Sequence, residues 1–194
     1  MSTSQLTTQS APQSATERRS AEAELRTLIA KFAPAPAAAR LRLIGAMRRS
    51  LLKRLPTAHE VVYEYRDCFV ISYSPSGHGY EGVLGIRGSV DGVRLYFNQG
   101  KGLPDPEKLL QGSANARWIP VEGASTLARP AVVRLIEEAL ARNGVPFSRT
   151  GRGPVVIRTT SAKRGAKQRP KVKPAEVKKR GAAERTANPK GKPR

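Results

Sequence analysis

Between His59 and Phe97 four short apolar segments follow one another, HEVVYEY, CFVISYS, GVLGIRG and GVRLYFN, each rich in Val, Ile, Tyr and Phe. The stretches that separate them, SPSGHGYEG and the Val90-Asp91-Gly92 turn among them, are too short for the parallel crossover, which needs about a dozen residues. They suit hairpins, because glycine tolerates positive φ. An antiparallel sheet follows, and it constrains the fold more than any other feature of the chain. In the fourth segment Val93, Leu95 and Phe97 alternate with Arg94, Tyr96 and Asn98. One face of the sheet is therefore buried and the other polar.

Helical patterns flank this block. Thr16 is positioned to cap ERRSAEAELRTLIAKF, where Leu25, Leu28, Ile29 and Phe32 recur at helical spacing until Pro34 and Pro36 end the helix. AARLRLIGAMRRSLLKRLP reads as a second helix closed by Pro56. Its apolar arc is Leu43, Ile44, Met47, Leu51 and Leu55; Arg42, Arg49 and Lys53 lie opposite, with Arg40, Arg48 and Arg54 on the flanks. That basic face is a contact for phosphates or an acidic partner, or simply the solvated side. After the fourth strand, Asp105-Pro106-Glu107 carries the signature of a helix start, anchored by Leu109 and Leu110 and ended by Gly112. ARWIPV is an expected edge strand. STLARPAVVRLIEEALARNG is the clearest helix, with an apolar face of Val132, Val133, Ile136, Ala139 and Leu140 and charge pairs Arg134–Glu138 and Glu138–Arg142. PVVIRTT is a last strand. Helices before and after antiparallel strands predict an α+β fold, a sheet packed by helices, over residues 16–160.

Both ends differ from this middle. Residues 1–15 are Ser, Thr, Gln, Ala and Pro without periodicity, a disordered arm by composition. Residues 161–194 hold 13 basic and 2 acidic side chains of a chain whose net charge is +20, and they read as a disordered basic tail. Charge this concentrated suits a polyanion, of which nucleic acid is the commonest in a cell. The candidate contacts are Lys163, Arg164, Lys167, Arg169, Lys171, Lys173, Lys178, Lys179 and Arg180. Prolines keep such a segment extended along phosphates, and binding of this kind is salt-dependent and indifferent to sequence. A tail that only solubilises the chain is the other reading. No apolar run is long enough to span a membrane, the start has no secretory pattern, and the single cysteine permits no internal disulfide. The expectation is a cytoplasmic protein with no membrane partner.

Catalytic motifs are not apparent. His59 beside Glu60 has the chemistry of an acid–base pair but equally suits a strand start, and His78 sits in a glycine loop. Cys68, next to Phe69 in a strand, reads as an inert buried thiol. The loop Gly100-Lys101-Gly102 falls short of a phosphate-cradling motif; its glycines serve a turn, and Lys101 is at most an anion contact. Arg94 and Tyr96 share one strand face and, with Tyr63, Tyr65 and Tyr73, make a polar-aromatic lining for a ligand if that face is uncovered.

The stretch VRLYFNQGKGLPDPEKLLQG carries a resemblance. Its strand, Gly100, Leu103-Pro104-Asp105-Pro106, Leu109-Leu110 and Gly112, together with His59-Glu60, Tyr63 and the close at Val155–Arg158 followed by Ser161-Ala162-Lys163, are similar to the YdhG-like bacterial family over much of residues 20–160. The resemblance implies a frataxin-like sandwich, an antiparallel sheet covered by helices on one side, and says little of activity. Where that family commonly reads glycine-x-glycine-lysine, this chain has Gly112-Ser113-Ala114-Asn115, without the lysine. Some relatives are regarded as iron carriers. Iron asks for several carboxylates on one surface, whereas Glu22 and Glu24 here are crowded by Arg18, Arg19 and Arg26.

The sequence therefore predicts a non-enzymatic binding module, without cofactor or metal, that associates with nucleic acid or another polyanion through its tail. The alternative is a small-ligand, iron or protein-interaction module with a merely solubilising tail.

Overall fold

Ser14 starts the first helix, and it does so by a reciprocal pair of hydrogen bonds. Its hydroxyl accepts from the Glu17 N–H at 3.2 Å while the Glu17 carboxylate accepts from the Ser14 N–H at 2.8 Å. Thr16 was the expected cap, but three residues beyond it stands Arg19, which has no carboxylate to complete such a box. The helix, α1, runs Ala15–Lys31 and buries Leu25, Leu28, Ile29 and Phe32 as its spacing predicts. The computed structural model describes residues 13–112 and 115–159. Gln13 to Ala15, assigned to the arm by composition, belong to the folded part, and the tail cations from Lys163 to Arg180 lie outside the described residues.

Helix α2 (Ala38–Arg54) buries Ile44, Met47 and Leu51, followed by Leu55, with Leu43 half-buried; Arg42, Arg49 and Lys53 are exposed. Two arginines expected on the flanks of its basic face turn inward. Arg40 donates to the carbonyls of Ser89 and Gly92 at 2.6 and 3.1 Å, and Arg48 enters a carboxylate network described below. The four central strands appear where their patterns place them: β1 (His59–Glu64), β2 (Cys68–Ser74), β3 (Leu84–Ser89) and β4 (Gly92–Phe97). Each pairs antiparallel with the next, and β5 (Arg117–Pro120) pairs antiparallel with β4 as an edge strand.

The sheet is nonetheless mixed. Its order is β5-β4-β3-β2-β1-β6, and β6 (Val155–Thr159) lies parallel to β1. Residues 121–154 carry the chain from one sheet edge to the other through a 3-10 turn (Ala124–Ala128) and helix α3 (Pro130–Ala141). A connection of that length permits parallel pairing, which the hairpin-spaced strands do not. The outer edge of β6 is covered locally by Gln13, whose side-chain amide donates to the Val155 carbonyl at 3.0 Å and accepts from its N–H at 3.1 Å.

Asp105 does not start a helix. Its carboxylate accepts the N–H groups of Leu109 and Leu110 at 2.9 and 2.7 Å, and Lys108 takes φ 52°, so the segment turns. It then pairs back with the sheet edge through a bridge between Gln111 and Trp118. In α3 the buried stripe is Ala131, Val132, Leu135, Ile136 and Ala139; Val133 and Leu140, expected inside, are half-buried. Glu138 pairs with Arg142 at 3.6 Å, whereas Arg134 reaches Glu107 at 3.4 Å in place of Glu138.

The buried side chains of all three α-helices and of one sheet face form a single cluster. From the sheet it takes Val62, Phe69, Ile71, Tyr73, Leu84, Ile86, Val93, Leu95, Phe97, Ile119 and Val155. Each fully buried large side chain contributes roughly 1.5–3 kcal/mol. All of these point to one side, so the α-helices cover one face only; on the opposite face lies the β2–β3 loop with its short 3-10 turn (Gly79–Glu81), which buries Val61 and Ser72.

Candidate functional site

The open face follows from strand register, because residues directly opposite each other in a sheet share a face. One row across it reads Val156, Val61, Ser72, Gly85, Tyr96 and Trp118 from β6 to β5. The next row reads Arg158, Tyr63, Val70, Arg87, Arg94 and Pro120. Tyr65, just past β1 and 45 % exposed, extends the aromatic edge. The face thus presents aromatic rings and guanidinium groups together.

Their geometry is specific. The Arg94 guanidinium carbon sits 4.1 Å from the centre of the Trp118 ring, and the rings of Trp118 and Tyr96 are 6.5 Å apart at 30°. A guanidinium over an indole face gains cation–π attraction and keeps its in-plane N–H groups available. Tyr63 and Tyr65 stand 6.4 Å apart at the other side. Between the two aromatic groups lies a cleft of about 490 Å³, lined by Tyr63, Tyr65, Val70, Ser72, Gly79, Tyr80, Gly85, Arg87, Tyr96 and Asn98. Gly85 forms part of its floor, where a Cβ would sit in ordinary contact with its neighbours at 3.4 to 3.8 Å.

The loop between β2 and β3 closes one end. Ser72 donates to the Gly79 carbonyl at 3.2 Å, Ser74 to that of His78 at 2.7 Å, and Asn98 to that of Gly82 at 2.5 Å. Gly79 lies so close over Tyr63 that a Cβ would fall 2.3 Å from the phenol oxygen. Arg158 donates to Gly77 at 2.8 Å from the far strand. Tyr80 emerges from this loop 80 % exposed, stacked on His78 with ring centres 5.3 Å apart. The loop is thus pinned at its base and offers an aromatic ring at its tip.

The charge of the face is positive. Arg87 sits in its middle; its guanidinium is held more firmly charged than usual, first by a hydrogen bond to Cys68, against the opposing effect of burial. Asp67, at the margin and itself exposed, is its ion-pair partner at 3.6 Å. Arg94 has no ion pair among the described residues. The Tyr65 phenol is pushed up by burial and by the neighbouring Tyr63 and Cys68, so it remains a neutral donor at physiological pH.

A second polar cluster lies on the core side and belongs to the fold. Arg48 donates through Nε and Nη2 to the two oxygens of Glu60, at 2.8 and 2.7 Å, and through Nη1 and Nη2 to those of Glu22, both at 2.8 Å. Tyr73 adds a hydrogen bond to Glu60 at 3.1 Å. Burial disfavours the Arg48 charge, but the hydrogen bonds to Glu60 and Glu22 outweigh it and raise its pKa. With these bonds made, neither carboxylate is presented for a metal ion, and no group of three His, Cys, Asp or Glu side chains suited to one occurs among the described residues. Glu60 faces away from His59, so the acid–base pairing suggested by their adjacency is not formed; His59 Nδ1 is buried without a hydrogen-bond partner, and burial lowers its pKa.

Arg94 and Tyr96 therefore occupy the open face, as strand alternation predicted, while Tyr73, proposed with them, is fully buried in the core. Lys101 is exposed in its glycine loop, where its N–H donates to Asn115 at 3.0 Å, and it does not line the cleft. Cys68 is buried, as expected. Trp118, Arg87, Arg158, Tyr80 and Gly85 escaped sequence reasoning, since their convergence depends on cross-strand register. No helix of the described residues is long and apolar enough to cross a membrane. Comparison with protein-family models, curated proteins and solved structures finds no match.

Proposed function

We propose that this chain is a nucleic-acid-binding module with no catalytic role. The observation that carries the reading is the uncovered sheet face, on which Arg87, Arg94 and Arg158 stand among Tyr63, Tyr65, Tyr96 and Trp118. Guanidinium groups supply phosphate contacts and rings supply stacking surfaces for bases, and nucleic acid is the common cellular ligand that uses both. The charge of residues 161–194 supports it, because that tail attracts the same polyanion without sequence preference. In this reading the tail gathers the ligand and the sheet face seats it. The YdhG-like likeness of residues 93–112 stands as a proposal about kinship and names no activity.

The test is binding of the full chain to random-sequence DNA, single-stranded and duplex, across a salt series. Affinity is expected to fall steeply, on the order of 10³-fold or more between about 50 and 200 mM salt if six or more phosphates are engaged. Absence of binding at the lowest salt overturns the reading.

A further inference from the structure

The shape of the open face decides which form of nucleic acid it takes. Six strands at about 4.8 Å spacing make a surface roughly 24 Å across, whereas the major groove of duplex DNA is about 12 Å wide and admits a helix or a two-stranded ribbon. A sheet of that breadth does not fit into an undistorted major groove. In a duplex the faces of the bases are also already stacked on one another, so the rings on this surface would find only phosphates. A single strand has free base faces, and those match what the sheet displays.

We propose that the open face binds single-stranded nucleic acid, with one base seated in the cleft over Gly85 against Tyr96 and a second stacked at Trp118. This rests on the nucleic-acid reading above and adds to it the form of the ligand and the place of the bases. The cleft of about 490 Å³ falls in the ~300–1,000 Å³ range of small-ligand pockets, so it is large enough for a planar base. Tyr63 bounds the cleft on β1, which lies three strand spacings from β4, about 14 Å. A strand crossing that distance passes Arg87 and Arg94, which share one row and point to the same side. Arg94, already stacked on Trp118 at 4.1 Å, has its N–H edge free for a phosphate while its plane extends the aromatic surface. At the cleft end Asn98, beyond its own bond to Gly82, offers an amide to the edge of a seated base.

The basic tail contains no aromatic residue. It attracts single strands and duplexes by charge alone and contributes no stacking, so form selectivity has to come from the sheet.

Trp118 is the only tryptophan of the chain, which makes its fluorescence a reporter of this face alone. The full chain is titrated with an unstructured oligothymidine and with a random duplex of equal length, at a salt concentration where both bind. Quenching of Trp118 emission by the single strand and not by the duplex is expected, together with tighter binding of the single strand. Tyr96→Leu removes one stacking ring and is expected to weaken single-strand binding about 10- to 100-fold while leaving duplex binding little changed. Gly85→Val fills the cleft floor with a strand-favouring residue whose Cβ meets only ordinary contacts, and it is expected to reduce single-strand affinity similarly without loss of fold. Unaltered Trp118 emission at saturation, equal affinity for both forms, or wild-type binding by both variants overturns this proposal while leaving the nucleic-acid reading standing. Failure of both oligonucleotides to bind overturns both readings.

Discussion

The guanidinium of Arg48 and the carboxylate of Glu60 meet in a two-point pair at 2.7 and 2.8 Å, with Glu60 only 2 % exposed. Arg48 simultaneously grips Glu22 of α1, so one side chain of α2 ties both helices to the first strand. The network joins α1 and α2 to the covered face of the sheet.

Removing Arg48 strands the Glu60 charge in the core, whereas removing Glu60 leaves Arg48 its two bonds to Glu22. Arg48→Met is expected to cost about 3–5 kcal/mol, and Glu60→Leu less. The double variant Arg48→Met/Glu60→Leu should lose less than the sum of the two, because no buried charge at this pair is then left uncompensated. Urea denaturation of the four proteins measures this; additive losses would show that the two groups do not act as a pair.

The hydrogen bonds from Arg48 hold the Glu22 carboxyl below its ordinary range. A carboxyl with a depressed pKa in the folded state contributes stability above its unfolded value of about 4.3, and that stability is lost as pH falls through the folded value. Glu22→Gln should flatten the fall in melting temperature below about pH 4.3. His59 acts in the same direction at higher pH: burial lowers its pKa, so below about pH 6.5 the unfolded chain takes up a proton that the fold resists, and stability declines. His59→Asn should remove the decline that begins as pH falls below about 6.5, as melting curves at successive pH values would register.

Gly153 has no room for a side chain. A Cβ there would lie 1.8 Å from the Ala58 carbonyl oxygen and 2.7 Å from that of Thr57, both backbone atoms that cannot rotate away. Gly153→Ala is expected to push β6 off β1 and cost more than about 3 kcal/mol, an exceptional loss for a single methyl group. Gly144→Ala, which adds a Cβ with nothing within 4 Å, is the matched control and should leave the urea midpoint nearly unchanged.

These relationships also show how far the sequence could be read. Alternation in Val93–Asn98 located a buried and a polar face correctly, and the core stripes of α1 and α2 followed from residues three and four apart. Local patterns carry that information because it depends on neighbours within one element. The orientation of β6 does not: PVVIRTT looks the same parallel or antiparallel, and the answer lies in the 121–154 crossover and in the Gly153 contact with residues 57 and 58. Arg48 had the spacing of a surface residue, and only the arrival of Glu60 and Glu22 from other elements turned it inward. The candidate site was legible to the same degree. Arg94 and Tyr96 were visible from alternation, whereas Trp118, Arg87 and Gly85 join them only through the register of three strands.

Replacing the tail cations Lys163, Arg164, Lys167, Arg169, Lys171, Lys173, Lys178, Lys179 and Arg180 with glutamine separates gathering from seating. If all of these contact phosphates of a duplex, the slope of log affinity against log salt should approach about −8 in the parent chain and become much shallower in the variant. An unchanged slope would remove the tail from the account. Quenching of Trp118 by saturating single strand should persist in the variant, at higher ligand concentration.

Position on the protein is the most direct test of the central claim, that the uncovered sheet face is where nucleic acid lies. The full chain is cross-linked by ultraviolet light to a single-stranded oligonucleotide at low salt, digested, and the modified peptides identified by mass spectrometry. Adducts are expected on Tyr63 of β1, Tyr65 just past it, Tyr96 of β4 or Trp118 of β5. Adducts confined to the helical side, for example around Arg42, Arg49 and Lys53 of α2, or to the tail alone, would contradict it.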